Sequence, residues 1–176
     1  GGPDAAGYEW RDNSENDGPR FEWVDITQNG QGLGAGDDWL SGWLDFGWNF
    51  PFYGQEYSGL KVCSNGWLTF ENYNGFPMYN LPGFPNAAAP NPLLAIIGTD
   101  MDGTAGGDIY FWTNNQDQAI IEWAGVPRYA DPGSVTTCEA IFTADGMIKF
   151  QYGHQQNFGG EDALIGWEDP TGQLGT

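Results

Sequence analysis

The distribution of glycine and proline leaves this chain almost no way to form helices. There are 28 Gly and 11 Pro in 176 residues, and no stretch keeps a 3.6-residue hydrophobic period for three turns. What remains are short runs rich in aromatic and β-branched residues, broken by turn clusters at close spacing. That pattern belongs to a sandwich or barrel. We expect an all-β protein, a two-sheet antiparallel β-sandwich (jelly-roll-like) with long ordered loops. The runs predict strands at Phe21–Thr27, Leu40–Trp48, Leu60–Cys63, Trp67–Glu71, Leu93–Thr99, Asp108–Trp112, Gln118–Trp123, Val135–Thr143, Met147–Tyr152 and Ala163–Trp167.

Several connections are specified locally. Ser64-Asn65-Gly66 and Ala144-Asp145-Gly146 sit between apolar runs, and Asn-Gly and Asp-Gly tolerate the positive φ of tight hairpins. Asn114-Asn115-Gln116-Asp117 reads as a further hairpin turn. In the strand at 147–152, Ile148, Phe150 and Tyr152 share one face and Lys149 and Gln151 the other. That alternation predicts one buried face and one wet face. Two segments are not strand-like. Residues 1–20 form a polar N-terminal arm. Residues 72–92 hold five prolines together with Tyr73, Phe76, Tyr79 and Phe84. Proline cannot donate to a sheet ladder, so 72–92 is expected to be a long ordered loop or arm. Its four aromatics must pack on the domain or on a partner. The length suits one domain, so residues 1–176 are read as a single sandwich without internal repeats.

Five Lys and Arg against 24 Asp and Glu give a net charge of −19. Such a field repels nucleic acid and anionic membranes and favours cations. No apolar run is long enough to span a bilayer as a helix, so membrane insertion is not expected. The start at Gly1-Gly2-Pro3 reads as a processed, mature chain. Cys63 and Cys138, the two cysteines, both fall in strand-like runs. In a secreted β domain such a pair is expected to form a disulfide. Two cysteines and one histidine are too few for structural zinc.

The best local signal for chemistry is Asp100-Met101-Asp102-Gly103-Thr104-Ala105-Gly106-Gly107-Asp108. Calcium takes several hard oxygen ligands, and alternate carboxylates on a turning backbone can aim at one point. Asp100, Asp102 and Asp108 are therefore candidate calcium ligands, set against a plain polar turn in which each Asp bonds its own backbone. The spacing is not that of an EF-hand, since Phe111 and Trp112 stand where the bidentate Glu would be. The acidic clusters Asp37-Asp38, Asp12 through Asp17 and Glu161-Asp162 read as solvated loops.

Catalytic signals are poor. His154, the lone histidine, lies in a polar loop, and no Gly-x-Ser-x-Gly elbow occurs. We expect no enzyme activity, although paired carboxylates of the glycosidase kind are not filtered out by a chain with this many acids. The nine tryptophans are spread along the chain, and most are expected in the core. Trp39 and Trp43, with Tyr73, Phe76, Tyr79 and Phe84, are the candidates for contact with a partner or a ligand.

A family likeness covers nearly the whole chain. It runs through Gly2-Pro3-Asp4, Gly7-Tyr8 and Trp10, then Phe21-Glu22-Trp23-Val24-Asp25-Ile26, Phe50-Pro51-Phe52-Tyr53-Gly54 through Tyr57, and Ser64-Asn65-Gly66-Trp67-Leu68-Thr69-Phe70. It continues in Asp108-Ile109-Tyr110-Phe111, Ile120-Ile121-Glu122-Trp123, the segment from Asp145 to Tyr152, and Ile165-Gly166-Trp167. With these motifs the chain resembles a bacterial extracellular β-sandwich module of secreted and cell-surface proteins. It is more distantly similar to nidogen-like extracellular domains. The resemblance implies a non-catalytic accessory or adhesive role, and Cys63 and Cys138 depart from its usual pattern.

The expected function is a non-catalytic, secreted or cell-surface structural module, a self-assembling surface or filament subunit stabilised by calcium. Protein partners or self-association are expected, since Lys61 and Lys149 are the lysines left to guard sheet edges. The alternative is a carbohydrate-binding module of a secreted enzyme, with polysaccharide as its partner.

Overall fold

A computed structural model describes residues 1–88, 90–157 and 163–176. Two five-stranded antiparallel sheets pack face to face. The first sheet has the order β1 (Gln31–Gly32), β6 (Asp108–Thr113), β7 (Gln118–Arg128), β8 (Asp131–Thr143), β9 (Ile148–Gln156). The second has the order β10 (Leu164–Trp167), β5 (Leu93–Gly98), β4 (Trp67–Thr69), β3 (Gln55–Cys63), β2 (Leu44–Phe52). Each sheet is built on a meander of consecutive strands, because tight turns leave successive strands as neighbours. Among the described residues there is no helix, and so none long and apolar enough to cross a membrane.

The turn residues fix the register. Gly66 has φ +74°, and a Cβ there would lie 2.4 Å from the Ile97 carbonyl oxygen. Only glycine lets the β3–β4 turn come this close to β5, where the Gly66 carbonyl accepts the Ile96 N–H at 3.0 Å. The Asn114 side chain organises the β6–β7 turn by accepting the N–H groups of Gln116, Asp117 and Gln118, each at 3.0 Å. The β2–β3 hairpin differs from the sequence expectation, which placed strands at 40–48 and 60–63. Tyr53 and Gly54 both adopt positive φ, 46° and 70°, and close a two-residue turn that extends both strands towards it. Pro51 fits within β2 because β2 is an edge strand, where proline is tolerated.

The interior between the sheets is aromatic. Phe46, Phe50, Phe52, Phe70 and Phe142 form one cluster with ring centroids 5.3–6.5 Å apart. Burying each such ring is worth roughly 1.5–3 kcal/mol. Leu60, Val62, Leu68, Leu94, Ile121, Trp123, Cys138 and Ala140 belong to the same core. Tyr152 bridges the layers by donating from its hydroxyl to the Ile96 carbonyl at 2.7 Å.

Both outer faces are also covered, and this explains why β4 and β5 are buried along their whole length. On the second sheet, the 72–92 loop lays Tyr73, Met78, Leu81 and Phe84 over Cys63, Trp67, Leu93 and Ala95. Trp67 Nε1 donates to the Met78 carbonyl at 2.8 Å, and Glu168 Oε2 accepts the Asn86 N–H at 2.7 Å. On the first sheet the cover is residues 21–26. The expected strand Phe21–Thr27 joins neither ladder. It is an extended strap whose backbone bonds to side chains of β7, β8 and β9. Gln151, expected on a wet face, is therefore 3% exposed.

The expected disulfide is not formed, and Cys63 and Cys138 are both free, buried thiols. The pleat gives the reason. Cys63 pairs with Trp67, which pairs with Ala95, and these three share the outer face of the second sheet. Cys138 points into the core between the sheets. The two sulfurs lie on opposite sides of a sheet, which no rotamer change can bridge.

Candidate functional site

Among the described residues, a group of converging acids forms where three segments meet. Residues 36–39 are stitched to the β3–β4 turn by a hydrogen bond from Ser64 N to the Trp39 carbonyl and one from Trp39 N to Ser64 Oγ, each 2.9 Å. They also meet the stretch after β5, where Asp37 and Asp102 form a β-bridge and Gly103 N donates to the Gly36 carbonyl at 3.2 Å. Asn65 is the hub. Its Nδ2 donates to Asp38 Oδ1 at 2.9 Å and to the Pro77 carbonyl at 3.3 Å, while its Oδ1 accepts the Met101 N–H at 2.8 Å. Asn65 is 1% exposed, so this side chain fixes the arrangement from beneath.

The outcome is a convergence of carboxylates from Asp37, Asp38 and Asp100, with one oxygen of each within 4.8 Å of the others. Oxygens bound to one Ca²⁺ at about 2.3–2.6 Å can stand this far apart across the ion. Burial raises the pKa of Asp37, and the charges of Asp102 and Asp38 raise it further. Burial likewise raises Asp100, followed by Asp38, Asp37 and Asp102. The group repels itself in its ionised form, and a divalent cation would relieve that repulsion.

The three residues singled out by sequence separate here. Asp100 lies in the group. Asp102 adjoins it, with Oδ1 engaged by the Thr104 N–H at 2.8 Å and the Thr104 hydroxyl at 2.5 Å. Asp108 is turned elsewhere, and its Oδ1 accepts the N–H groups of Gly34 and Ala35 at 3.0 Å and of Ile109 at 2.7 Å. Asp37 and Asp38, read from sequence as a solvated loop, take its place. Their approach to Asp100 depends on tertiary contacts through Ser64 and Asn65, for which the local sequence carries no signal. Glu161-Asp162 lies outside the described residues.

The aromatic candidates also divide. Trp43, Phe76 and Tyr79 are exposed at 38%, 57% and 48%. Phe76 and Tyr79 meet edge to face at 6.0 Å and line a shallow hollow with Met78 and Asn80. Trp39, Tyr73 and Phe84 are partly buried and pack on the hydrophobic clusters. His154 is exposed on β9.

Sequence reasoning missed the buried acids Glu122, Glu139, Glu168 and Asp169. Burial raises Glu122, Glu139 and Glu168, the last two to about 7. Glu122 and Glu139 hold the strap and Glu168 holds the 72–92 loop. A strand-centre Glu between apolar neighbours, as in Ile120-Ile121-Glu122-Trp123, was the available signal.

The fold and these surfaces define a two-sheet β-sandwich module with both outer faces covered by irregular segments. The chain belongs to the NIDO-related family, which it matches over residues 16–176. That membership indicates a nidogen-like extracellular domain. No curated protein and no solved structure matches the chain.

Proposed function

We propose that the protein is a non-catalytic structural or adhesive module, secreted or displayed at a bacterial cell surface, in which calcium ties together the segments around Asp37, Asp38 and Asp100. The observation that carries this reading is the convergence of three carboxylates from two separate stretches of chain in a domain of net charge −19. The same charge disfavours polyanions such as nucleic acid. A bound Ca²⁺ would clamp residues 36–39 to the stretch after β5 and so stiffen that part of the sandwich. The contact surface in this reading is protein-directed, for a partner or further copies of the chain, and includes exposed Trp43, Phe76 and Tyr79. Titration calorimetry with Ca²⁺ and light scattering across protein concentration test both parts. Binding heat that disappears in D37N and D100N, with calcium-dependent growth in mass, supports the reading. No heat, together with a monomer at every concentration and calcium level, rejects it.

The exposed Phe76–Tyr79 pair favours one alternative, a carbohydrate-binding module, because sugar faces stack on such rings. Glycan binding abolished by F76A or Y79A, with calcium irrelevant, would select it.

A further inference from the structure

The outer face of the first sheet carries a row of polar side chains that the proposed function does not use. Glu122 on β7 stands opposite Glu139 on β8, and Glu139 stands opposite Gln151 on β9. All three are 3% exposed or less. The strap docks on this row through alternate amides. Ile26 N–H donates to Glu122 Oε2 at 2.9 Å, Val24 N–H to Glu139 Oε1 at 3.2 Å, and Glu22 N–H to Gln151 Oε1 at 2.7 Å. Gln151 Nε2 returns a bond to the Glu22 carbonyl at 2.7 Å and also donates to Glu139 Oε1. Three strands thus read residues 22, 24 and 26 of one extended segment.

Glu139 Oε2, by contrast, is buried and has no hydrogen-bond partner among the described residues. An orphaned oxygen on a dry carboxylate, one strand away from a second carboxylate, strongly opposes double ionisation. We propose that Glu122 and Glu139 hold one proton between them, and that losing it to solvent releases the strap, so that residues 21–26 are a latch opened by rising pH.

With the proton in place the pair carries one charge instead of two, and the orphaned Glu139 Oε2 is a neutral hydroxyl rather than part of a buried charge. Burial is the main cause of the raised pKa of both groups. The strap amides work against it, Ile26 N–H at Glu122 and Val24 N–H together with Gln151 at Glu139, but burial outweighs them, and Asp25 adds to it at Glu122 and Glu122 at Glu139. The charged groups around the row are Glu22 and Asp25 on the strap and Lys149 on β9, and Lys149 offsets part of the repulsion at Glu139. Removing the proton adds a charge beneath a strap segment that already carries two acids.

The latch covers something specific. Ile26 packs on Ile120 and Ile141, flanked by Tyr110 and Trp112. Opening uncovers an apolar strip on β7 and β8 without disturbing the core between the sheets. None of Asp37, Asp38 and Asp100 takes part, so the latch stands or falls separately from the calcium reading.

Amide hydrogen exchange on the intact protein tests it, followed by NMR at pH values of about 5.5, 7 and 8.5 and corrected for intrinsic rates. The Val24 and Ile26 amides should lose about tenfold or more of their protection across this range, while Ile121 and Ala140 change by less than about threefold. In E139Q the loss at the strap should shrink below about threefold. E122Q gives the same answer should E139Q fail to fold. Strap protection that stays flat with pH in the wild type overturns the proposal. So does a loss at the strap matched by an equal loss at Ile121 and Ala140, or one that persists unchanged in the variants.

Discussion

Trp123 on β7 donates its indole N–H to the carbonyl oxygen of Cys63 on β3 at 3.1 Å, a polar link through the interior from one sheet to the other. Both residues are fully buried. W123F would keep an aromatic ring but leave the Cys63 carbonyl without this donor and open a void beside it. The Cys63 carbonyl keeps the Gly66 N–H at 3.3 Å, so the loss of the indole bond and of the buried volume together should cost about 2–3 kcal/mol. Urea unfolding of wild type and W123F measures this directly. A difference below about 1 kcal/mol would mean the link is not a structural tie.

The cysteines make a sharper test of the same region. Burial pushes both thiols well above the ordinary range and holds them as neutral, unreactive groups. A reducing agent should leave the melting temperature unchanged, and an aromatic disulfide reagent should titrate two thiols only after denaturation. A melting temperature that drops on reduction would show the bridge forming after all.

How much of this was legible in the sequence depends on the range of the interaction. The turns at Gly66, Gly146 and Asn114 depend on residues within a few positions, and the strand ends that meet them fall where the sequence places them, whereas the far ends of β3, β7, β8 and β9 run on beyond the expected bounds. Residues 21–26 have strand composition and adopt an extended backbone, yet their partners are side chains of β7, β8 and β9 rather than a ladder. Composition reports an extended chain and cannot say what pairs with it. The acidic site shows the same limit. Asp100 is visible as part of a local pattern, whereas Asp37 and Asp38 reach it through Ser64 and Asn65, far off in sequence. The cysteine pairing failed because strand parity over the whole fold, not spacing, decides which face each thiol occupies.

The buried acids set a pH dependence. A carboxyl whose folded pKa lies above its unfolded value adds stability while protonated, and that stability is lost as pH rises through the folded pKa. Glu139 and Glu168, raised from 4.5 to about 7, therefore weaken the fold between about pH 4.5 and 7, and Glu122 acts in the same direction. The opposite case is Asp145, which the Thr143 hydroxyl and the Met147 N–H hold below 3.8, so its contribution disappears only in stronger acid. Thermal stability in chelator should peak at about pH 4–5 and fall by about 5 °C or more by pH 8. E168Q, which keeps an acceptor for Asn86 N–H, should flatten part of that slope. A melting temperature that rises steadily from pH 5 to 8 would contradict the burial of these groups as charged species.

D100N separates calcium binding from acid repulsion by the sign of its effect. Without calcium, Asp100 is opposed first by burial and then by Asp38, Asp37 and Asp102, so removing its charge should raise the melting temperature by about 1–3 °C. With excess calcium the order should reverse. Wild type gains RT ln(1 + [L]/Kd) from the bound ion, and the variant, short of one ligand, gains less. The measurement is a pair of melting curves for each protein, in chelator and in excess calcium. Crossing of the two proteins between the conditions is the expected result. If D100N is the more stable protein in both, the carboxylates at Asp37, Asp38 and Asp100 are a strained acidic surface and the cation reading fails. If it is the less stable in both, Asp100 serves the fold through its own contacts, and repulsion is not the dominant force at the site.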